Sequence, residues 1–195
     1  RQTIAALLVN LGKLDAARPH LEKLLASEKD NVGNAFMQLN QLLSRNPNKA
    51  ATLQLIRQLS QPYTDVPEVH FAISQAAWFA SEHQLALDEM QRALALRPDW
   101  EIAAIHNGRI LQRISSTDAS EFYRNYLKKY PAANEMRIAY TRVLIGDNHV
   151  DLAREQLQQL LDKNPEDAEI MLAIGLLATE MGDFDITETS FKKAL

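Results

Sequence analysis

Three prolines stand at almost equal steps in this chain: Pro98, Pro131 and Pro165, separated by 33 and 34 residues. Each follows one amphipathic stretch and precedes another, as in Leu96-Arg97-Pro98-Asp99 and Lys163-Asn164-Pro165-Glu166. Proline has no N–H to give and a fixed φ, so it suits the first turn of a helix and interrupts one anywhere later. The prolines are therefore expected to punctuate helices. Asn164 is a candidate N-cap there, with Glu166 and Asp167 placed near the positive end of the next helix. A period of this size marks a chain built from repeated units rather than one with a single closed core.

Each unit divides again. Ala168 to Glu180 is apolar at helical spacing, Met181-Gly182-Asp183 breaks it, and a second helical pattern runs from Phe184 to Leu195. Upstream, Ile138 to Ile145 is broken at Gly146-Asp147-Asn148 before Val150 to Leu161. Ile4, Leu7, Leu8 and Leu11 open the chain before a break at Gly12-Lys13. Strand alternation is weak, and the Asn107-Gly108 pair falls inside a helical pattern, so no hairpin is predicted there. The expectation is an all-α chain of about twelve helices in antiparallel pairs.

The stretch 168–195 resembles a tetratricopeptide repeat, with Ile174-Gly175, Gly182-Asp183-Phe184 and Phe191-Lys192-Lys193-Ala194-Leu195 at that family's spacing. Residues 67–98 resemble it through Ala86, Met90, Ala93-Leu94 and Pro98, and 134–167 through Ala153, Leu157, Leu160 and Pro165. The unit at 33–66 keeps Leu39, Ile56 and Leu59, with Thr52 and Thr64 at the small and proline positions. The first unit keeps Gly12, Ala17, Leu21 and Leu24-Leu25. The unit at 101–133 departs most: it has Gly108 and Tyr123 but lacks one residue near Ile114-Ser115-Ser116, so an unusual inner turn is expected. The resemblance implies one right-handed α-solenoid over 1–195, in units of about 1–32, 33–66, 67–100, 101–133, 134–167 and a truncated 168–195.

Such an array implies a protein-binding scaffold without catalysis, holding a peptide or partner helix in a groove lined by the first helix of each pair. Carried over position by position, the groove is expected at Met37, Gln41, Phe71, Gln75, Trp78, Ile105, Arg109, Gln112, Ile138, Arg142 and Leu172. Arg109 and Arg142 fall on equivalent positions of adjacent units. Two guanidiniums there suit a partner's carboxylate; the other reading pairs them with acids on their own surface. Trp78 is read either as a groove anchor or as a core residue between helices, and Trp100 as a packing residue at a unit junction.

Other chemistry finds little support. There are no cysteines, so thiolate metal sites and cysteine nucleophiles are excluded. His20, His70, His83, His106 and His149 do not pair at metal-ligand spacing on one helix face, and phosphate-binding glycine loops and serine elbows are missing. No cofactor or metal is implied. Residues 1–97 hold 10 Lys and Arg against 9 Asp and Glu, whereas 98–195 hold 11 against 16, which argues against nucleic acid as the main partner. No apolar run is long enough to span a membrane. The chain opens on Arg and stops inside a helix without a polar cap. Those ends suggest a second reading, in which the chain is a positioning or oligomerisation arm of a larger protein. They also suggest self-association through an uncapped C-terminal end, and the start on Arg together with the absence of cysteine slightly favours a bacterial periplasmic or envelope location over the cytoplasm.

Overall fold

The computed structural model describes residues 2–195, leaving aside the side chains of Gln2, Thr3, Lys29 and Ser116. Among these residues lie twelve α-helices and no strand. In chain order they are α1 (Gln2–Asn10), α2 (Leu14–Ser27), α3 (Val32–Leu43), α4 (Lys49–Ser60), α5 (Pro67–Phe79), α6 (His83–Leu96), α7 (Glu101–Ile114), α8 (Ser116–Lys129), α9 (Asn134–Gly146), α10 (Val150–Lys163), α11 (Ala168–Met181) and α12 (Phe184–Ala194). The chain divides into two compact units, residues 1–110 and 111–195. In the first, α1 packs on α2 and α5 on α6; in the second, α9 packs on α10 and α11 on α12. Connections this short force the paired helices to run antiparallel. The first helices of successive pairs also meet side by side, α3 with α5 and α9 with α11.

The spaced prolines act one step earlier than expected. Each stands three residues ahead of a helix, not in its first turn. The residue before a proline is sterically barred from the α region. Arg97 (φ −137°, ψ 84°), Tyr130 (φ −125°, ψ 74°) and Asn164 (φ −131°, ψ 54°) accordingly leave helical geometry and end α6, α8 and α10. Each proline then occupies the second place of a turn closed by a backbone bond. Trp100 N donates to Arg97 O at 3.2 Å, Ala133 N to Tyr130 O at 3.1 Å, and Asp167 N to Asn164 O at 3.4 Å. The cap of α11 is therefore Asp167, whose carboxylate accepts from Glu169 N and Ile170 N at 3.1 Å, and not Asn164. Asn164 instead donates back to Leu160 O and accepts from Asn134 at the start of α9.

Small residues set the distance between paired helices. Ala86 and Ala153 are fully buried, and Ser74 on α5 donates its hydroxyl to Ala86 O on α6 at 2.6 Å. Gly175 on α11 leaves room for the Phe191 ring of α12: a Cβ there would stand 2.6 Å from a ring carbon, closer than packed atoms tolerate. Where a glycine gives way to alanine the helices still touch, and where it is needed an aromatic ring fills the space. Around this contact Leu157, Leu160, Met171, Ile174 and Leu177 form the core of the second unit.

Four of the inner turns share another device. Gly12 (φ 72°), Ser81 (φ 65°), Asn148 (φ 60°) and Gly182 (φ 73°) are all left-handed, and each follows the end of a first helix. This geometry lets the last helical carbonyls find donors: Glu82 N reaches Ala77 O, His149 N reaches Leu144 O and Asp183 N reaches Ala178 O, at 2.7–2.9 Å. The unit with the missing residue is different. Ser115 alone separates α7 from α8, in an extended conformation, and its hydroxyl accepts from Asp118 N at 3.4 Å. A left-handed L-residue carries strain of roughly 1–2 kcal/mol. Since open space surrounds Gly182, Gly182→Ala should destabilise the chain by about 1 kcal/mol through φ alone, and Ser81→Gly should stabilise it by roughly 0.5 kcal/mol. Urea unfolding of the two variants beside the parent checks both signs.

Candidate functional site

In the first unit, α5, α6 and α7 each contribute side chains to one region. The bed of this arrangement is aromatic. Phe71, expected on the groove, is 1% exposed: its ring packs on Trp100 with centroids 4.9 Å apart and meets His106 edge-on at 5.1 Å. Burial of so large an apolar ring outweighs any gain from leaving it exposed. Arg97 covers the other side of Trp100 at 4.4 Å and is held by an ion pair with Glu68.

Above this bed opens a pocket of about 190 Å³, lined by Ser74, Gln75, Trp78, Phe79, Met90, His106, Arg109 and Ile110. Helical spacing explains the grouping. Ser74 and Trp78 stand four apart on α5, as do Gln75 and Phe79, while His106, Arg109 and Ile110 share one face of α7. Met90 rises from α6. Trp78 is half-buried and packs against His83 with centroids 4.8 Å apart, so it is neither a sealed core residue nor a free one. Arg109 is exposed and makes no ion pair among the described residues. The pocket thus combines apolar walls with one solvated cation at its edge.

A line of hydrogen bonds positions its polar members. Asn40 Nδ2 on α3 donates to Gln75 Oε1, and Gln75 Nε2 on α5 stands 3.5 Å from His106 Nε2 on α7. Gln75 Oε1 already accepts, so its amide turns N–H toward His106 and Nε2 of the imidazole is the acceptor. Burial holds His106 below its usual pKa, and the neighbouring Arg109 charge lowers it further. The neutral ring that results suits an apolar pocket, where a charged one would be costly.

The remaining expected positions are distributed differently. Met37 and Ile105 are half-buried on α3 and α7. Gln41 is exposed and lines a separate cleft of about 270 Å³ with Ala5, Leu24 and Leu39, where α1, α2 and α3 meet. Gln112 lies in the last turn of α7, within the second unit, and is exposed. In that unit Ile138 is 5% exposed and belongs to the core rather than to a groove, while Arg142 on α9 and Leu172 on α11 are open to solvent. Gln75, Trp78 and Arg109 are therefore the expected residues that one pocket brings together. Asn40, Phe79, Met90 and His106 join them without having been expected. Asn40 carried a signal, as a polar residue among the apolar positions of α3. His70 is buried between Glu89 Oε2 at 2.6 Å and Thr64 O at 2.8 Å. Among the described residues no three His, Asp or Glu side chains converge as a metal site, and no helix is long and apolar enough to cross a membrane.

A family model described as tetratricopeptide repeat matches residues 142–185, which take in the end of α9, all of α10 and α11 and the turns around them. No curated protein sequence matches the chain. Solved structures of the same fold include a tetratricopeptide repeat protein from Parabacteroides merdae ATCC 43184, 15% identical, with a TM-score of 0.61 over 98% of this chain and 76% of that one. MamA from Desulfovibrio magneticus RS-1 is 18% identical, with a TM-score of 0.55 over 83% of this chain and 92% of that one. YrrB, described as a tetratricopeptide protein with an unusual peptide-binding site, is 13% identical, with a TM-score of 0.50 over 87% and 89%. Identities this low establish the fold and leave the site to be judged on its own residues.

His106 links the pocket to pH. Its folded pKa lies below the ordinary 6.5, so the unfolded chain takes up the proton first as pH falls. Its contribution to stability is complete above that ordinary value and is lost as pH drops through and below it. Melting temperatures measured from pH 8 to pH 5 should fall less steeply for His106→Asn than for the parent. Parallel curves would mean that His106 titrates without penalty.

Proposed function

We propose that this chain, a tetratricopeptide-repeat protein, is a protein-interaction scaffold, and that the α5–α7 pocket receives an apolar side chain of a partner segment with a carboxylate beside it. The observation that carries this reading is the union around one cleft of half-buried Trp78, exposed Phe79 and Arg109, which makes no ion pair among the described residues. Aromatic and arginine side chains dominate binding energetics when they can be desolvated by a partner. A guanidinium without a counter-ion offers a planar pair of donors that a carboxylate fits. The amide line from Asn40 to His106 keeps the cleft in one shape before a partner arrives, which reduces the ordering cost of binding. The description of YrrB as peptide-binding shows that this fold accommodates such a role.

A displayed peptide library selected on the whole chain tests this directly. Selected sequences are expected to pair an apolar residue with Asp, Glu or a free C-terminal carboxylate. Arg109→Glu should weaken the best of them at least tenfold, equivalent to about 1.4 kcal/mol. Because Arg109 is exposed, its stability should change by no more than about 0.5 kcal/mol. Peptides without an acid, undiminished binding to the variant, or a variant that melts early would each overturn the assignment.

A further inference from the structure

The second unit holds an unusual collection of charge. A cleft of about 290 Å³ between α8, α9 and α10 is lined by Arg124, Lys128, Arg137 and Lys163, with Gln156 and Gln159, and no carboxylate is among its lining residues. None of the four cations is ion-paired among the described residues. Residues 98–195 are acidic on balance, so the absence of an acid at this one place is a matter of placement rather than supply.

Arg137 is the centre of the arrangement and is 4% exposed. A buried guanidinium is ordinarily matched by a carboxylate, because desolvating an unpaired charge is costly. Here its neighbours are neutral. Nη1 donates to Gln156 Oε1 and Gln159 Oε1, both at 2.6 Å, and Nη2 donates to Pro131 O at 3.2 Å. Its buried Nε–H has no acceptor. Lys163 Nζ donates to the same Pro131 oxygen at 3.1 Å, so two cations converge on one carbonyl. The two glutamines are committed in orientation: with both amide oxygens turned to Arg137, their NH₂ groups remain as donors. Four cations, two amides and the Tyr140 hydroxyl thus surround one cleft with donors and almost no acceptor.

We propose that this cleft is a phosphate-binding site, taking a phosphate dianion either free or as the terminal group of a phosphomonoester. A carboxylate would neutralise one of the four charges. A phosphate dianion neutralises two and presents tetrahedral oxygens to donors arriving from three helices. The site belongs to α8, α9 and α10 and does not depend on the α5–α7 reading, so either can fail alone.

The test uses the whole chain at pH 7.5, titrated with sodium phosphate, with O-phosphoserine, and with sodium chloride at matched ionic strength. The side-chain NH₂ resonances of Gln156 and Gln159 report binding in ¹H–¹⁵N spectra. A saturable shift with phosphate, absent with chloride, is expected. A matching shift with O-phosphoserine assigns the site to phosphomonoesters, and its absence assigns it to the free ion. Lys128→Gln/Lys163→Gln removes two exposed cations and should weaken binding about tenfold or more. Lys128→Glu supplies a tethered carboxylate in place of the ligand; it should abolish the phosphate shift and raise the melting temperature at low salt. If phosphate acts no differently from chloride, if the shift never saturates, or if folded variants bind as the parent does, the site does not exist.

Discussion

A proline ring will not let the residue before it be helical, and most of the order in this chain rests on that steric fact. At Arg97, Tyr130 and Asn164 it ends a helix at a defined residue, and the turn that follows delivers the next helix three residues later. Helix length is thereby fixed, and with it the face each helix turns inward. A helix one residue longer would rotate its successor by about 100° and move its apolar stripe out of register. In four of the pairs a left-handed residue at the inner turn performs the complementary task, reversing the chain while backbone N–H groups reach the last helical carbonyls. Packing then needs only small residues at the crossing points, and Ala86, Ala153 and Gly175 provide them.

Charge is sorted within this frame in two ways. Some pairs tie elements together: Arg154 Nε reaches Asp183 at 2.8 Å, joining α10 to the cap of α12, and that bond holds the Asp183 carboxyl below its usual pKa. Glu89 accepts from both His70 and Arg92, binding α5 to α6. In these places a carboxylate faces each guanidinium. Arg137 is surrounded instead by amide and backbone oxygens, which accept from its two Nη atoms while leaving Nε without an acceptor and the charge unanswered. The two solutions look alike in a count of polar contacts and differ in what they leave for a ligand.

Much of this was legible in the residues. The step between prolines predicted paired helices, and the breaks at Gly12-Lys13, Gly146-Asp147-Asn148 and Met181-Gly182-Asp183 stand where pairs reverse. The missing residue near Ser115 did mark an inner turn unlike the others. The register of the first helices was sufficient to bring Gln75, Trp78 and Arg109 together, because those positions repeat with the helix. It misplaced Phe71 and Ile138, since a small rotation of a helix decides whether an apolar side chain faces a cleft or a neighbour, and periodicity does not resolve that angle. The cationic cleft had no signature at all. Arg124, Lys128, Arg137 and Lys163 follow no motif, and counting charge by halves averaged them into an acidic segment.

The bonds from Asn40 through Gln75 to His106 have a direction. Each amide donates to the next member, and the imidazole nitrogen accepts at the end. Aspartate in place of Asn40 would set acceptor against acceptor unless the Gln75 amide turned over and the imidazole changed tautomer with it, although the volume hardly changes. Three positions on three helices are therefore one inherited trait. Among descendants of this chain they should change in concert or stay as they are, so the imprint of this line is to be sought in correlated substitution and not in the constancy of any single residue.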